Sequence, residues 1–452
     1  MKKALLLVAL TATTVRSLAQ TDTLRVMTYN VLYYGNGCQG PTEKYHGYLK
    51  TIIGYTSPDI VTLEKMASIP VTPDDKAGTA PYGFADSVLQ YAFNAAYPGR
   101  YAYCPFTNAS HANNIGLLVY DTRKLGFVSI VSSYANITDF NTYKLYYKDP
   151  ALARTHDTTF LYLTLNHDKS GKENEEVRGR QIAEKMEQLK AHFTSLPNML
   201  NIGDFNLRSS EEPVYQQIVF NKDENFRFYD APFNPDNKLK YPANWGHDAN
   251  YSGYFTTSTR QFENVPNACG SGGGAKGWYD HIFMSDWIVK GTNYIKYVPN
   301  SYRTIGNDGQ RTGVSINNSN GHVNTSAPAE VIEALYQFSN KYPVMIQLAV
   351  TSNTTGKSPK DPEIGGVAVA IKVEAKVDNP VKDELVLHFP DAMKGQELTI
   401  TCTDKNGTEQ MKKQLTVRHN DEKMKCKLAP GTYTLRINSK HSTMQEMQIT
   451  KE

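Results

Sequence analysis

The run Asn201-Ile202-Gly203-Asp204-Phe205-Asn206-Leu207 constrains this chain more than any other stretch. It follows the apolar pair Met199 and Leu200 and stops at the polar turn Arg208-Ser209-Ser210. This pattern predicts a buried strand that ends in a loop. Asp204 and Asn206 are two residues apart, and in extended chain such a pair points to one side. A carboxylate and a carboxamide side by side at a strand end can hold a water and a phosphoryl oxygen. A single Gly-Asp-x-Asn is also an ordinary polar strand terminus, so other stretches must supply the rest of a site before chemistry is implied.

The surrounding chain alternates strand-like and helix-like stretches over residues 22–350. Leu24–Leu32, Ile60–Leu63, Ile115–Tyr120, Leu125–Ser133 and Phe160–Asn166 read as strands. Tyr45–Tyr55 places Tyr48, Leu49, Ile52 and Ile53 on one helical face, and Ala85–Ala96 also reads as helix. Glu173–Phe193 is the clearest helix, with Val177, Ile182, Met186 and Leu189 near helical spacing and charges elsewhere. With 452 residues, 40% of them hydrophobic, the chain has the material for two or three domains with sizeable cores. A formal net charge of +3 does not by itself argue for a nucleic-acid partner. The long segment Asn234–Gly277, rich in Asn, Gly and Pro, has a size typical of functional or disordered loops. Its Ser271-Gly272-Gly273-Gly274 run neither follows a strand nor opens a helix, so it does not read as a nucleotide phosphate loop.

Both ends of the chain read as export signals. Residues 1–20 have a basic Lys2-Lys3 start, an apolar run from Ala4 to Val15 and a Ser17-Leu18-Ala19 cleavage site before Gln20. The apolar run is too short to span a bilayer, and no later segment reaches eighteen apolar residues, so the mature protein is expected to be exported and soluble. Residues 21–350 then form the first domain, 351–365 a linker and 366–452 a small all-β domain, with strands at Ala368–Val377, Leu385–Phe389, Leu398–Thr403, Gln414–Val417 and Tyr433–Ile437. None of the five cysteines, Cys38, Cys104, Cys269, Cys402 and Cys426, has the C-x-x-C spacing of a thiolate metal site. Export permits disulfides, and Cys402 and Cys426 lie in neighbouring expected strands. Their pairing stays open.

Six stretches, in order, resemble the motifs of the endonuclease/exonuclease/phosphatase superfamily, the DNase-I-like fold. They are Met27-Thr28-Tyr29-Asn30-Val31, Pro58-Asp59-Ile60-Val61-Thr62-Leu63, Asn166-His167-Asp168-Lys169-Ser170-Gly171, the Asp204–Asn206 run, Tyr279-Asp280-His281-Ile282-Phe283 and Ser339-Asn340-Lys341-Tyr342-Pro343-Val344. The resemblance implies an α/β four-layer sandwich, two packed β-sheets flanked by helices, spanning about Leu24 to Val350. It also implies hydrolysis of a phosphate ester, with a divalent cation (Mg²⁺ or Mn²⁺), a base for the attacking water and a donor for the developing charge. Asn30 matches the opening Asn, His167 the phosphate-contacting His, Asp204 the water-activating Asp, Asn206 its partner and Asp280 the substrate-orienting Asp. In the last domain, Asn379–Leu385, Leu398-Thr399-Ile400 and Pro430–Leu435 resemble the type IX secretion sorting domain, which directs Bacteroidetes proteins across the outer membrane. The secretion machinery is then one partner, and the location is secreted or cell-surface attached by way of the periplasm.

Three positions depart from the catalytic pattern. Glu64-Lys65 stands where the family has Gln-Glu or Asn-Glu, so the glutamate is one residue early. A one-residue shift in a strand turns a side chain to the opposite face, and only a bulge would let Glu64 serve as the metal ligand. Lys65 aims an ammonium at the metal's place; at about 4 Å and an effective dielectric near 20, it would repel a divalent cation by roughly 8 kcal/mol. Asn340-Lys341 replaces the terminal Asp-His, and lysine lacks the imidazole's proton exchange near neutral pH. His322, in a loop, is no substitute, and Asp168 stands where the family has an apolar residue. The expectation is a secreted, catalytically degraded phosphodiesterase or nuclease homologue whose cleft binds a phosphate-like anion or a partner. The alternatives are an active secreted hydrolase with an altered metal site, or a structural surface protein. Superfamily members act on DNA, RNA, sphingomyelin, inositol phosphates and other phosphate esters. A phosphate-containing small molecule, a lipid headgroup and nucleic acid therefore all remain open as ligands, and Lys65 is expected to face Asp204, Asn206 and Asp280.

Overall fold

The computed structural model describes residues 21–35, 42–68, 80–110, 112–233, 244–246, 248–262, 272–319, 321–364, 371–372, 375–389, 393, 397–439 and 442–452. The expected signal segment, Cys38, Cys269 and part of the Asn234–Gly277 loop lie outside them.

Among the described residues, the first domain has thirteen strands: β1 Thr21–Tyr34, β2 Ile60–Ala67, β3 Tyr101–Tyr103, β4 Asn114–Asp121, β5 Leu125–Ala135, β6 Asp139–Tyr147, β7 Phe160–His167, β8 Met199–Asp204, β9 Phe228–Asp230, β10 Asp280–Ser285, β11 Ile295–Tyr297, β12 Arg303–Thr304 and β13 Val344–Thr351. They form two sheets, one in the order β11-β13-β1-β2-β4-β3 with β12 beside β13, the other in the order β5-β6-β7-β8-β10-β9. Both central pairs, β1–β2 and β7–β8, are parallel, while β13 and β10 run antiparallel to them. One core joins the sheets, with Val26, Leu63, Leu117, Leu163, Leu200 and Ile282 fully buried. Helices Thr42–Thr56, Glu175–His192 and Ala329–Phe338 flank the sheets, giving the layered α/β architecture implied by the motif order.

The helix Glu175–His192 departs from its expected pattern. Its buried stripe includes Arg178 and Lys185 along with Ile182, Met186 and Leu189, while Val177 is only half-buried. Two cations therefore lie on the face that should be apolar, and both turn out to matter for the site.

The last domain has its own core of Leu385, Leu387, Leu398, Ile400, Cys402, Leu435, Ile437 and Ile449. A five-stranded and a three-stranded sheet enclose it. Cys402 and Cys426 are both free, buried thiols. Residues 352–364 pack on the first domain: Asn353 N donates to Asp149 at 2.6 Å, and the Tyr162 hydroxyl donates to Asp361 and Glu363, both at 2.7 Å. Among the described residues, no helix is long and apolar enough to cross a membrane.

Candidate functional site

The strand directions determine which residues meet. Asn30, Glu64, Lys65, His167 and Asp204 all lie at or near the carboxyl ends of β1, β2, β7 and β8. Asp280 starts the antiparallel β10, and Asn340 and Lys341 lead into the antiparallel β13, so these also arrive at that end. Ligands of open α/β sheets bind at the carboxyl ends of parallel strands for this reason. Within the second sheet, His167 is paired with Asp204 and Asp204 with Asp280, so three side chains from adjacent strands stand in one row. Gly203 allows β7 and β8 to approach here. Its φ is +139°, and a Cβ would collide with the Asn166 carbonyl.

These residues line a cleft of about 340 Å³, formed by Asn30, Lys65, His167, Asp204, Asn206, Asn340 and Lys341 together with Ser170, Arg208, Thr257, Lys276 and Tyr279. Asp204 is its centre. Its Oδ2 accepts from Asn30 Nδ2 at 2.8 Å and lies 3.2 Å from Lys341 Nζ; its Oδ1 accepts from Asn206 N at 2.9 Å. Burial would raise its pKa, but Lys341, His167 and the Asn30 amide together hold it below the ordinary carboxylate value. Lys341 itself is pulled down by burial, and Asp204 and Asp280 more than reverse that. Asp280, buried beside the Asp204 charge, is pushed well up and is neutral near pH 7.

Two expectations about backbone geometry need correction. β8 ends at Asp204, and Asn206 has φ +50°, so the two side chains do not share one extended face. Asn206 reaches the cleft from a left-handed turn and donates its Nδ2 to the Asp168 carbonyl at 2.9 Å, which makes it a loop brace. The second correction concerns β2. Its register against β4 skips from Leu63↔Leu117 to Met66↔Ile115, a bulge in which Lys65 takes φ +62°. Just ahead of the bulge, the regular register against β1 puts Glu64 level with Asn30, and Thr28 Oγ1 donates to Glu64 Oε1 at 2.8 Å. Glu64 therefore faces the inner side rather than the opposite one. Burial pushes its pKa up to about 8, with Asp280 and Asp204 adding to the rise against the two threonine hydrogen bonds.

The bulge also delivers Lys65 to the cleft, with its Nζ 4.3 Å from the Tyr33 ring centroid. Burial and then Lys341 lower its pKa to about 8. His167 is held by Asn114 Oδ1 at 3.1 Å, and burial, reinforced by Lys65 and Lys341 against Asp204, lowers it to about 4. It is a neutral imidazole at pH 7.

This donor set does not fit a divalent cation. Among the described residues, no three His, Cys, Asp or Glu side chains are arranged to hold one. The approach to Asp204 is taken by the Lys341 ammonium, and Lys65 adds a second positive charge.

Several cleft residues escaped the sequence reading. Arg208 was read only as a polar turn and Tyr279 only as the start of a motif, while Thr257 and Lys276 lie within the long loop. Thr257 bridges to both Gly277 and Lys341, which brings the long loop alongside the end of the first sheet. Arg178 is fully buried and pairs with Glu212 at 2.6 Å. Its Nη1 donates to the carbonyls of Lys169 at 3.1 Å and Gly171 at 2.6 Å, and Glu212 Oε1 accepts from Arg208 N at 2.9 Å. One ion pair thus fixes two walls of the cleft. Lys185 Nζ donates to Asn201 Oδ1 at 2.6 Å and to Asn166 Oδ1, tying β7 to β8 beneath the site. Burial lowers Lys185 to about 7, with the nearby Asp168 opposing. The available signal was two basic residues at the helical spacing of a core stripe.

Comparison with solved structures finds similar chains at low identity. The human Nocturnin catalytic domain, solved with a bound sulfate anion, is 13% identical, with 73% of this chain and 97% of that one covered and a TM-score of 0.42. A truncated Caenorhabditis elegans TDP2 is 16% identical (72% and 97% covered, TM-score 0.40). An endonuclease/exonuclease/phosphatase family protein from Bacteroides thetaiotaomicron is 13% identical (74% and 97% covered, TM-score 0.39). No curated protein matches the chain by sequence. Residues 379–451 match the family model of the secretion system C-terminal sorting domain. The chain therefore ends in a secretion sorting domain and is a protein marked for export, to be secreted or held at the cell surface.

Proposed function

We propose that the first domain is an exported anion-binding module that has lost the metal-dependent hydrolysis of its fold. The observation that carries this reading is the Lys341–Asp204 pair at 3.2 Å. A carboxylate that would have to meet a cation and activate a water is instead neutralised by a tethered ammonium. His167 is neutral at pH 7 and is a hydrogen-bonding group for an anion rather than a charged one. Lysine acts on phosphate as a point charge, so binding needs no metal and weakens as salt screens it.

One observation favours a second reading, an active hydrolase with an altered metal site: Glu64 stands level with Asn30, near Asp204 and Asp280. The deciding experiment is the initial rate of hydrolysis of bis(4-nitrophenyl) phosphate and of DNA by the full chain with Mg²⁺ or Mn²⁺, with and without EDTA. The expected result is negligible turnover in both conditions. Robust EDTA-sensitive turnover would overturn the proposal in favour of the second reading.

A further inference from the structure

Resting on that anion-binding reading, we infer that the cleft selects a doubly charged terminal phosphate, a phosphomonoester, over a singly charged phosphodiester. Four cations line it, Lys65, Arg208, Lys276 and Lys341, against the single carboxylate of Asp204. Lys341 is committed to Asp204. Among the described residues, Lys65, Arg208 and Lys276 have no carboxylate partner within 4.0 Å, and the buried Nη1 of Arg208 has no hydrogen-bond partner. All three side chains are half-buried, and a bound anion would give them the counter-charge that the protein does not. Three unpaired cations converging on one cleft therefore make half of a site, and its complement carries more than one negative charge.

Neighbouring groups fix where these cations stand. The Tyr279 ring packs against two of them, 4.7 Å from Lys341 Nζ and 5.4 Å from the Arg208 guanidinium carbon. Arg208 is set by the backbone hydrogen bond to Glu212, which Arg178 holds in turn. Lys276 is accommodated by the glycine run: Gly273 has φ +103°, and a Cβ there would strike the Lys276 ammonium. That run thus shapes the site by leaving room for a cation, not by cradling phosphate with its own backbone. At about 340 Å³ the cleft is at the lower end of the range for small-molecule sites. It has room for a phosphate and a small organic group, and the neutral donors Ser170, Thr257 and His167 on its walls complete the lining.

The test is isothermal titration calorimetry of the full chain in EDTA at pH 7.5 with two probes sharing one ring. Phenyl phosphate is largely dianionic there, as the second ionisation of a phosphomonoester lies near 6; methyl phenyl phosphate carries one charge. We expect one-to-one binding of phenyl phosphate, about tenfold or more tighter than methyl phenyl phosphate. Arg208→Ala and Lys276→Ala should each reduce that ratio, with thermal melting confirming that both variants fold. Equal affinity for the two probes would overturn the selectivity and leave anion binding intact. Failure of both probes to bind would remove both conclusions. Selectivity unchanged in both variants would also overturn the assignment, because the preference would then arise elsewhere on the protein.

Discussion

The half of the cleft built by β7 and β8 presents His167, Asp204 and Asn206, with Asp280 of β10 buried beside Asp204, whereas the half built by β1, β2 and the approach to β13 presents Asn30, Lys65, Asn340 and Lys341. The two halves differ in how much of the fold depends on them. Asp204 caps the Asn206 turn, Asn206 braces the Asp168 carbonyl, and Lys185, Arg178 and Glu212 tie the same loops together from below. A side chain in that network supports the fold whether or not chemistry occurs. On the first-sheet side, Ser339 Oγ donates to the Asn30 carbonyl at 2.8 Å, and Lys341 is tied by its ammonium to Asp204. The second-sheet residues therefore serve the fold whether or not they serve catalysis, and the proposed loss of hydrolysis rests on the first-sheet side.

The largest expected effect breaks the braced half. Glu212→Ala leaves the fully buried Arg178 guanidinium without its counter-ion, and removing one partner of such a pair costs about 3–5 kcal/mol. Urea denaturation of the variant should show that loss, and Glu212→Gln, which keeps an acceptor oxygen, should lose less. A change below about 1 kcal/mol, the scale of a surface pair, would show that this half is not braced as described.

The next effect is on activity and concerns the substituted half. The triple change Lys65→Glu, Asn340→Asp and Lys341→His removes two lysine cations and introduces two carboxylates and an imidazole. It should raise EDTA-sensitive hydrolysis of a generic phosphodiester about a hundredfold over the native chain, the lower end of what a positioned acid or base contributes. If the variant binds Mn²⁺ in the cleft yet stays inert, the defect lies in the second-sheet half and the contrast between the halves fails.

The legibility of the chain follows the same division. His167, Asp204 and Asp280 were readable through the resemblance of their motifs, and strand pairing then puts the three residues in register. The bulge at Lys65 was not readable. Nothing local marks a non-glycine residue at φ +62°, and that turn of the backbone is where the Lys65 side chain enters the cleft. Arg178 and Lys185 were hidden because helical periodicity counts apolar residues, and a buried cation on the core stripe looks like a break in the pattern. Arg208, Lys276 and Thr257 needed the tertiary meeting of three loops, which no spacing in the sequence encodes.

The smallest effect separates the two lysines. Lys341 gains from folding, because Asp204 and Asp280 raise it above its ordinary pKa, whereas Lys65 is strained, because burial and the Lys341 charge lower it to about 8. A lysine depressed on folding costs stability wherever both states hold its proton, that is, below about pH 8 here. As pH rises from about 8 towards the unfolded value near 10.4, the folded chain sheds the proton first and that cost disappears. Lys65→Met keeps the aliphatic stem and makes no new demand on the left-handed backbone beyond the lysine's own. It should therefore stabilise the protein by about 1–2 kcal/mol at pH 7, a figure reduced from the full shift because the ammonium remains partly exposed to solvent. The gain should shrink towards zero by about pH 10. Lys341→Met should do the reverse at pH 7, since it leaves the Asp204 carboxylate buried without its cation. Paired urea denaturation of the native chain and the two variants from pH 7 to 10 measures both. If Lys65→Met is destabilising at pH 7, its ammonium has a partner on the first-sheet side, and the unpaired charge that the cleft would offer to a phosphate is not there.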